Sequence, residues 1–313
     1  MGNRGVPPGT ADGGAMWLTE EQLALQDTVA RLLAKEPDDL WPKLCEIGAP
    51  SLAIPEQYGG SGATLTELQI VLEQLGRTLA PTPLLATAIA AEAVLATGNT
   101  QACERLLSEI AAGRLAVWCP EGEKYVLDAD HAEILLVGKG GVLYEMRPGQ
   151  ARIDRVNTMD ESRRLTTVVV DEPANPIGPY DEARVRNFAL SALAAEQAGT
   201  AARCLEMTVE YARQRVQFGR PIGSFQAVKH RLADMHVLVE TARSAAYDTE
   251  HPVEAKVFCS EALQQVAAEM VQLHGGIAIT WEHDAQRYFK RAHGAAFLFG
   301  HPAEHLRAYQ VRG

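Results

Sequence analysis

Apolar residues recur at helical spacing through most of the first hundred positions. Thr19 precedes EEQLALQDTVARLLAKE, in which Leu23, Leu25, Val29, Leu32 and Leu33 fall at helical spacing and Gln22 completes a capping box. The stretch IPEQYGGSG, 54–62, is a cluster of helix breakers. Thr64 and Glu67 then form a second capping box that opens LTELQIVLEQLGRTLA, a helix stopped by Pro81 and Pro83. LLATAIAAEAVLATG and QACERLLSEIAAG read as two more helices, each followed by glycine. From 114 to 180 the pattern changes. LAVWCP, EILLVG, GVLYEM, ARIDRV and LTTVVVD are short β-rich runs parted by Gly, Pro and Asp, which predicts a small antiparallel sheet region.

Beyond Tyr180 the helical period returns over three long stretches, 183–214, 224–247 and 252–274. Runs of that length predict a bundle, whose ligand sites are built from facing helices and their ends. The expected fold is therefore mainly α with a small β domain. An N-terminal helical domain (16–113) is followed by a middle antiparallel β domain (114–180) and a C-terminal four-helix bundle (181–313). Residues 1–15, MGNRGVPPGTADGGA, are rich in Gly and Pro without an apolar core, and are expected to be a disordered leader, not a signal peptide.

Composition narrows the function classes. The 313 residues include 29 basic and 40 acidic side chains, a net charge of −11. An acidic chain without a clustered basic face is a poor nucleic-acid binder, because neutralising phosphates supplies most of that affinity. No apolar run reaches a membrane span. The five cysteines, Cys45, Cys103, Cys119, Cys204 and Cys259, lack CxxC spacing and read as buried thiols, consistent with a cytoplasmic protein.

Two stretches carry candidate chemistry. In RQRVQFGRPIGSFQAVKHRLADM, 213–235, Arg215 ends one helix, and Gly219, Pro221 and Gly223 turn the chain. Ser224 can cap the next helix, with Phe225 and Gln226 in its first turn. A helix start offers unpaired N–H groups and partial positive charge to an anion, and a nearby arginine adds a fork of donors suited to phosphate. On spacing alone the stretch reads equally as an ordinary turn with a solvated arginine. In VQLHGGIAITWEHDAQRYFKRA, 271–292, Gln272 and His274 end a long helix, and Gly275-Gly276 permits close backbone approach. A helix C-cap with a structural histidine accounts for that spacing as well.

Taken together, IPEQYGGSG and these two stretches resemble the acyl-CoA dehydrogenase family, and the order of helical, β and helical segments agrees over roughly 17–307. The resemblance implies FAD lying across a subunit interface, its ADP end in the neighbour's C-terminal bundle. It implies that Arg215 binds the pyrophosphate, that Phe218 and Gln226 contact the cofactor, and that Gln272, Gly275 and Gly276 line the adenosine end. The family's reaction removes an α-proton from an acyl-CoA thioester and passes a β-hydride to the flavin, which requires a carboxylate base.

Here the chain departs from the family. Phe299 stands at the usual Glu position, in FLFGHP. The alternative position for the base, on the first bundle helix, falls near Ala189, with Glu182 and Glu196 about two helical turns away. An arginine that often contacts CoA would fall near Leu190, and the flavin-cradling β segment is reduced to Cys119, Pro120 and Glu121. Asp128, Asp130 and Glu133 read as turn residues and solvated charges.

No catalytic residue is therefore assigned. The resemblance implies one half of a heteromeric α2β2 acyl-CoA dehydrogenase of the actinobacterial kind associated with sterol breakdown. A homologous full-featured subunit would supply the base and bind most of the acyl-CoA, and an electron-transfer flavoprotein would accept the electrons. Two alternatives stay open. One is a self-sufficient enzyme using Glu282, Asp284 or Glu304 as base; the other is a flavin-free interaction subunit.

Overall fold

The computed structural model describes residues 18–37 and 39–310; the leader expected at 1–15 lies outside them. Four helices open the chain: α1 (Glu20–Leu33), α2 (Leu40–Glu46), α3 (Leu65–Thr78) and α4 (Leu84–Leu95). Both capping boxes form, Thr19 with Gln22 and Thr64 with Glu67. QACERLLSEIAAG is helical but not regular: α5 (Thr100–Ala102) and α6 (Ser108–Ala111) flank a π turn at Cys103–Leu107.

The five β-rich runs form β1 (Ala116–Cys119), β3 (Ile134–Lys139), β4 (Val142–Met146), β5 (Arg152–Val156) and β6 (Leu165–Val169). Two strands escaped the pattern, β2 (Val126–Leu127) and β7 (Pro176–Pro179). The first has only two residues, and the second carries two prolines, which an edge strand tolerates. They make two small sheets, ordered β1-β3-β4-β7 and β2-β6-β5. All pairs are antiparallel except β1 with β3, which run parallel because the chain between them carries β2 and a 3-10 turn instead of a hairpin.

The bundle consists of α7 (Glu182–Gln214), α8 (Gln226–Ala246), α9 (Pro252–His274) and α10 (Ala285–Ala296), with α11 (Pro302–Gln310) after it. A two-stranded hairpin, β8 (Val216–Gln217) and β9 (Arg220–Pro221), links α7 to α8. Ser224 does not cap α8. Its hydroxyl donates to the Pro221 carbonyl (2.7 Å) within a 3-10 turn, and α8 starts after Phe225 without a side-chain cap.

Helix α7 is the spine. Its first half packs on α3 and α4, and its length faces α8 and α9. One buried apolar cluster runs from Val29 through the N-terminal helices and both sheets to Ala189 and Leu193 of α7, and two further clusters fill the bundle. The α3–α7 crossing is backbone against backbone. A Cβ on Gly199 would lie 1.9 Å from the Glu73 carbonyl oxygen, and one on Gly76 would lie 2.1 Å from that of Glu196. Buried Gln69 of α3 donates to the Ser191 carbonyl (3.2 Å) and the Ala246 carbonyl (2.7 Å), tying α3, α7 and α8 at one point. The cysteines are all free, four buried and Cys45 half-buried.

Overpacking a backbone contact forces the two helices apart. Gly199→Ala is expected to lower the free energy of unfolding by about 2–4 kcal/mol, read from denaturant midpoints, whereas Gly140→Ala, where a Cβ meets no atom within 4 Å, costs far less despite its φ of +58°.

Candidate functional site

Arg215 follows the last turn of α7, exposed, its N–H bonded to the Tyr211 carbonyl (2.8 Å). Its own carbonyl accepts the Ile222 N–H (2.8 Å), which closes the base of the β8–β9 hairpin. Phe218 and Gly219 form the two-residue tip with φ of +54° and +78°, the sign that a type I′ hairpin turn demands at both positions. Phe218 is 91% exposed, with its ring edge-on to Phe225 at 6.1 Å, and the Arg220 guanidinium lies 4.0 Å over the same Phe225 ring. Gln226, exposed, is the first residue of α8. Gly223 brings the turn against α7, where a Cβ would sit 3.0 Å from the Ala212 carbonyl oxygen.

The second stretch meets the first through rings. His274 ends α9, buried, and stacks on Tyr211 at 4.4 Å between centroids. Gly275 follows with φ +68° and ψ −149°, a conformation essentially restricted to glycine. Gly275 and Gly276 are exposed with open space where side chains would stand, and Gln272 is exposed one turn earlier. The ends of α7 and α9 thus share one edge of the bundle. Residue spacing suggested that each stretch ends a helix, but it carried no sign of the Tyr211–His274 contact, which spans 63 positions.

This edge fits a dinucleotide's distal half. It offers an exposed guanidinium, a helix start with no side chain occupying its N–H groups, and a glycine turn that a ring or ribose can approach.

The expected seat of the chemistry is different. Phe299 has φ +56°, is half-buried against the main apolar cluster, and its carbonyl is engaged by the His305 Nε2 (3.0 Å). The space bounded by Phe299, Leu298, Trp118, Pro120 and Val126 has a volume of about 20 Å³, room for roughly one water. Neither a flavin ring nor a thioester fits there. Cys119 is buried, with its thiol pushed up to about 12 by burial, and the Glu121 carboxylate accepts the Gly140 N–H (2.8 Å).

Each carboxylate weighed as a base has another task or no cavity. Glu182 accepts from Arg186 (2.8 Å) and from the Tyr180 hydroxyl (3.2 Å). Glu282 is exposed, Asp284 pairs with Arg287 (3.1 Å) and Glu304 accepts the His301 N–H (3.0 Å). Ala189 is fully buried and Leu190 nearly so.

Glu196 lies in a cluster that sequence reading missed. The buried Arg163 and Arg291 both donate to its Oε1, the latter at 2.8 Å, and Arg291 also reaches Asp160 (2.8 Å) and the Ser162 carbonyl (3.0 Å) and hydroxyl (2.9 Å). The cluster clamps the β5–β6 connection to α7 and α10 beside a cleft of about 280 Å³, whose wall includes Leu72, Pro83 and Leu85. Its members lie up to 131 positions apart, beyond any local motif.

Asp128 lines the same cleft with φ +55° and is not the solvated charge expected; burial, the largest influence, pushes its carboxyl up to about 7. Asp130 and Glu133 are exposed, as expected, and pair with Arg164 (3.3 Å) and Arg114 (3.3 Å).

Comparison with known proteins decides the family. A model of the acyl-CoA dehydrogenase C-terminal domain matches residues 190–308, and one of the N-terminal domain matches 19–114. The chain is 43% identical to the acyl-CoA dehydrogenase IpdE2 of Mycolicibacterium smegmatis, over 94% of this chain and 99% of that one. The chain belongs to the acyl-CoA dehydrogenase family. Among solved structures, a variant of the Tcur3481-Tcur3483 steroid ACAD superposes with a TM-score of 0.81 at 26% identity, covering 92% of this chain and 96% of that chain. The ChsE4-ChsE5 complex of Mycobacterium tuberculosis shares the fold with a TM-score of 0.80 at 24% identity, over 94% and 97% of the two chains. Membership makes this an oxidoreductase of an FAD-dependent family. Among the described residues, no helix is long and apolar enough to cross a membrane, and no His, Cys, Asp and Glu group could hold a metal ion.

The raised Asp128 sets a sign for stability. The folded state holds this proton up to about pH 7 while an unfolded chain releases it near 3.8, so the folded state binds more protons between those values. Stability relative to Asp128→Asn, which tolerates the same backbone, is therefore expected to fall as pH rises from about 4 to about 7 and then to level off, as checked by denaturant midpoints across that range.

Proposed function

We propose that this chain is the non-catalytic subunit of a heteromeric acyl-CoA dehydrogenase, holding the ADP end of FAD while a homologous partner supplies the base and the flavin-ring pocket. The observation that carries this reading is the contrast between its two sites. The space around Phe299 admits about one water, and the carboxylate that lines it, Glu123, is paired with Arg186 (3.6 Å), while the edge bearing Arg215, Gln226 and Gly275–Gly276 is open. A phenylalanine cannot take the α-proton.

In this arrangement Arg215 pairs with the pyrophosphate, Phe218 and Gln226 contact the cofactor beside it, and Gln272, Gly275 and Gly276 line the adenosine. FAD, when bound, supplies the hydride acceptor. The chain's own part is to orient it and to keep water from one end. Two findings support a partner subunit and a steroid-derived thioester: the likeness to a steroid ACAD named for two components, and the fold shared with a two-protein complex. An electron-transfer flavoprotein would reoxidise the flavin, and the assembly would work in the cytoplasm.

Purified alone, the chain is expected to give no acyl-CoA-dependent reduction of an artificial acceptor. Co-expressed with a full-featured homologue encoded nearby, it is expected to yield about one flavin per pair of chains, since each interface has one complete site. Arg215→Ala should lower that flavin-to-protein ratio. Turnover by the chain alone would overturn the proposal, and so would an unchanged ratio in Arg215→Ala.

A further inference from the structure

The two stretches of the clamp are joined by a packed unit that belongs to neither. Tyr211 sits one turn before Arg215, and the Arg215 N–H is bonded to the Tyr211 carbonyl (2.8 Å). The same tyrosine stacks on His274 at 4.4 Å, with an interplanar angle of 24°. Its hydroxyl donates to the His274 carbonyl (3.2 Å), on the peptide that leads into Gly275. That bond holds the peptide plane just where the chain enters its glycine-only conformation.

A third ring completes the unit. His283 lies 4.7 Å from His274 and 6.5 Å from Tyr211, and its Nδ1 accepts the Ala285 N–H (3.1 Å) at the start of α10. His274 Nδ1–H donates to the Met270 carbonyl (2.7 Å), and its Nε2 is buried without a partner. An imidazole with one nitrogen donating and the other unsolvated is held neutral; burial is the main cause of its lowered pKa, and His283 adds to it. A neutral ring stacks flat on the phenol without competing for water.

Resting on the reading above, we propose that Tyr211, through its stack on His274 and its bond to the His274 carbonyl, is a positioning residue. It locks the Arg215 hairpin and the Gly275–Gly276 turn into one rigid jaw for the adenosine-diphosphate half of FAD. Neither stretch alone fixes its distance to the other. The hairpin is anchored on α7, the turn on α9, and the ring stack links the two ends beyond the apolar packing of the helices behind them. Displacing one arm by an ångström would break simultaneous contact with pyrophosphate and adenosine.

The test is FAD affinity of the deflavinated protein, in whatever assembly carries flavin, for Tyr211→Leu, Tyr211→Phe, His274→Phe and Arg215→Ala, with flavin mononucleotide as the comparison ligand. Tyr211→Leu is expected to weaken FAD ~10-fold or more, and Tyr211→Phe, which keeps the stack, ~3-fold. His274→Phe keeps both ring stacking and the carbonyl and should stay within ~2-fold. Flavin mononucleotide, which lacks the adenosine and its phosphate and so needs no alignment of two contacts, should bind Tyr211→Leu, Tyr211→Phe and His274→Phe like the wild type, and lose affinity in Arg215→Ala, which removes the partner of the phosphate it keeps. Adding Tyr211→Leu to Arg215→Ala should weaken FAD by no more than ~2-fold further, because a jaw that has lost its arginine gains little from being aligned.

If Tyr211→Leu binds FAD like the wild type while Arg215→Ala does not, the positioning role is wrong and the clamp stands. Equal weakening of both ligands by Tyr211→Leu also overturns it, since it points to general loss of structure. If Arg215→Ala also binds normally, the clamp itself fails and takes this inference with it. Should Tyr211→Leu not fold, an FAD affinity of Tyr211→Phe equal to the wild type overturns the role.

Discussion

The architecture depends on a contact between two backbones. Helix α3 approaches α7 so closely that Gly76 and Gly199 leave no room for a methyl group, and Gln69 fastens the crossing to α8. A ridge of larger side chains would hold the helices apart by their own bulk. With that separation removed, α7 carries the main core on its first half and the bundle on its second. The tip of α7, and the arginine beyond it, take their position from an anchor about four turns away along the helix.

Along this spine the two ends have taken opposite courses. At the end facing the sheets, side chains fill the available space: Phe299 and Leu298 crowd the β1–β2 corner, and Glu196 is tied up by two arginines. A buried cluster of this kind is costly to desolvate and is better understood as a fastener that selects one arrangement of the β5–β6 connection than as a source of net stability. At the other end, side chains are withheld. Glycines stand at the turn, no residue caps α8, and a phenylalanine projects from a hairpin tip.

What could be read from the amino-acid order follows from the range of the interactions involved. Helices α1, α3, α7, α8 and α9 announced themselves because capping boxes, proline stops and 3.6-residue periods are local. Five strands of the β region did so for the same reason, while β2 and β7 did not, being too short or too rich in proline. The π turn at Cys103–Leu107 left no trace in a run that reads as plain helix. The candidate residues of the clamp were legible through the resemblance carried by two stretches. The ring stack that unites those stretches, and the Arg163–Glu196–Arg291–Asp160 cluster, depend on which distant helices meet, and no local pattern encodes that.

The hairpin tip has one more consequence. Phe218, Ile279 and Trp281 are each at least three-quarters exposed, and Phe218 also holds a left-handed backbone that aromatic residues disfavour. A chain released from the ribosome without a companion would carry these oily faces into a crowded cell, open to misassembly and to proteolytic disposal. In the proposed heteromer, the same residues would tie the persistence of this chain to the supply of its partner.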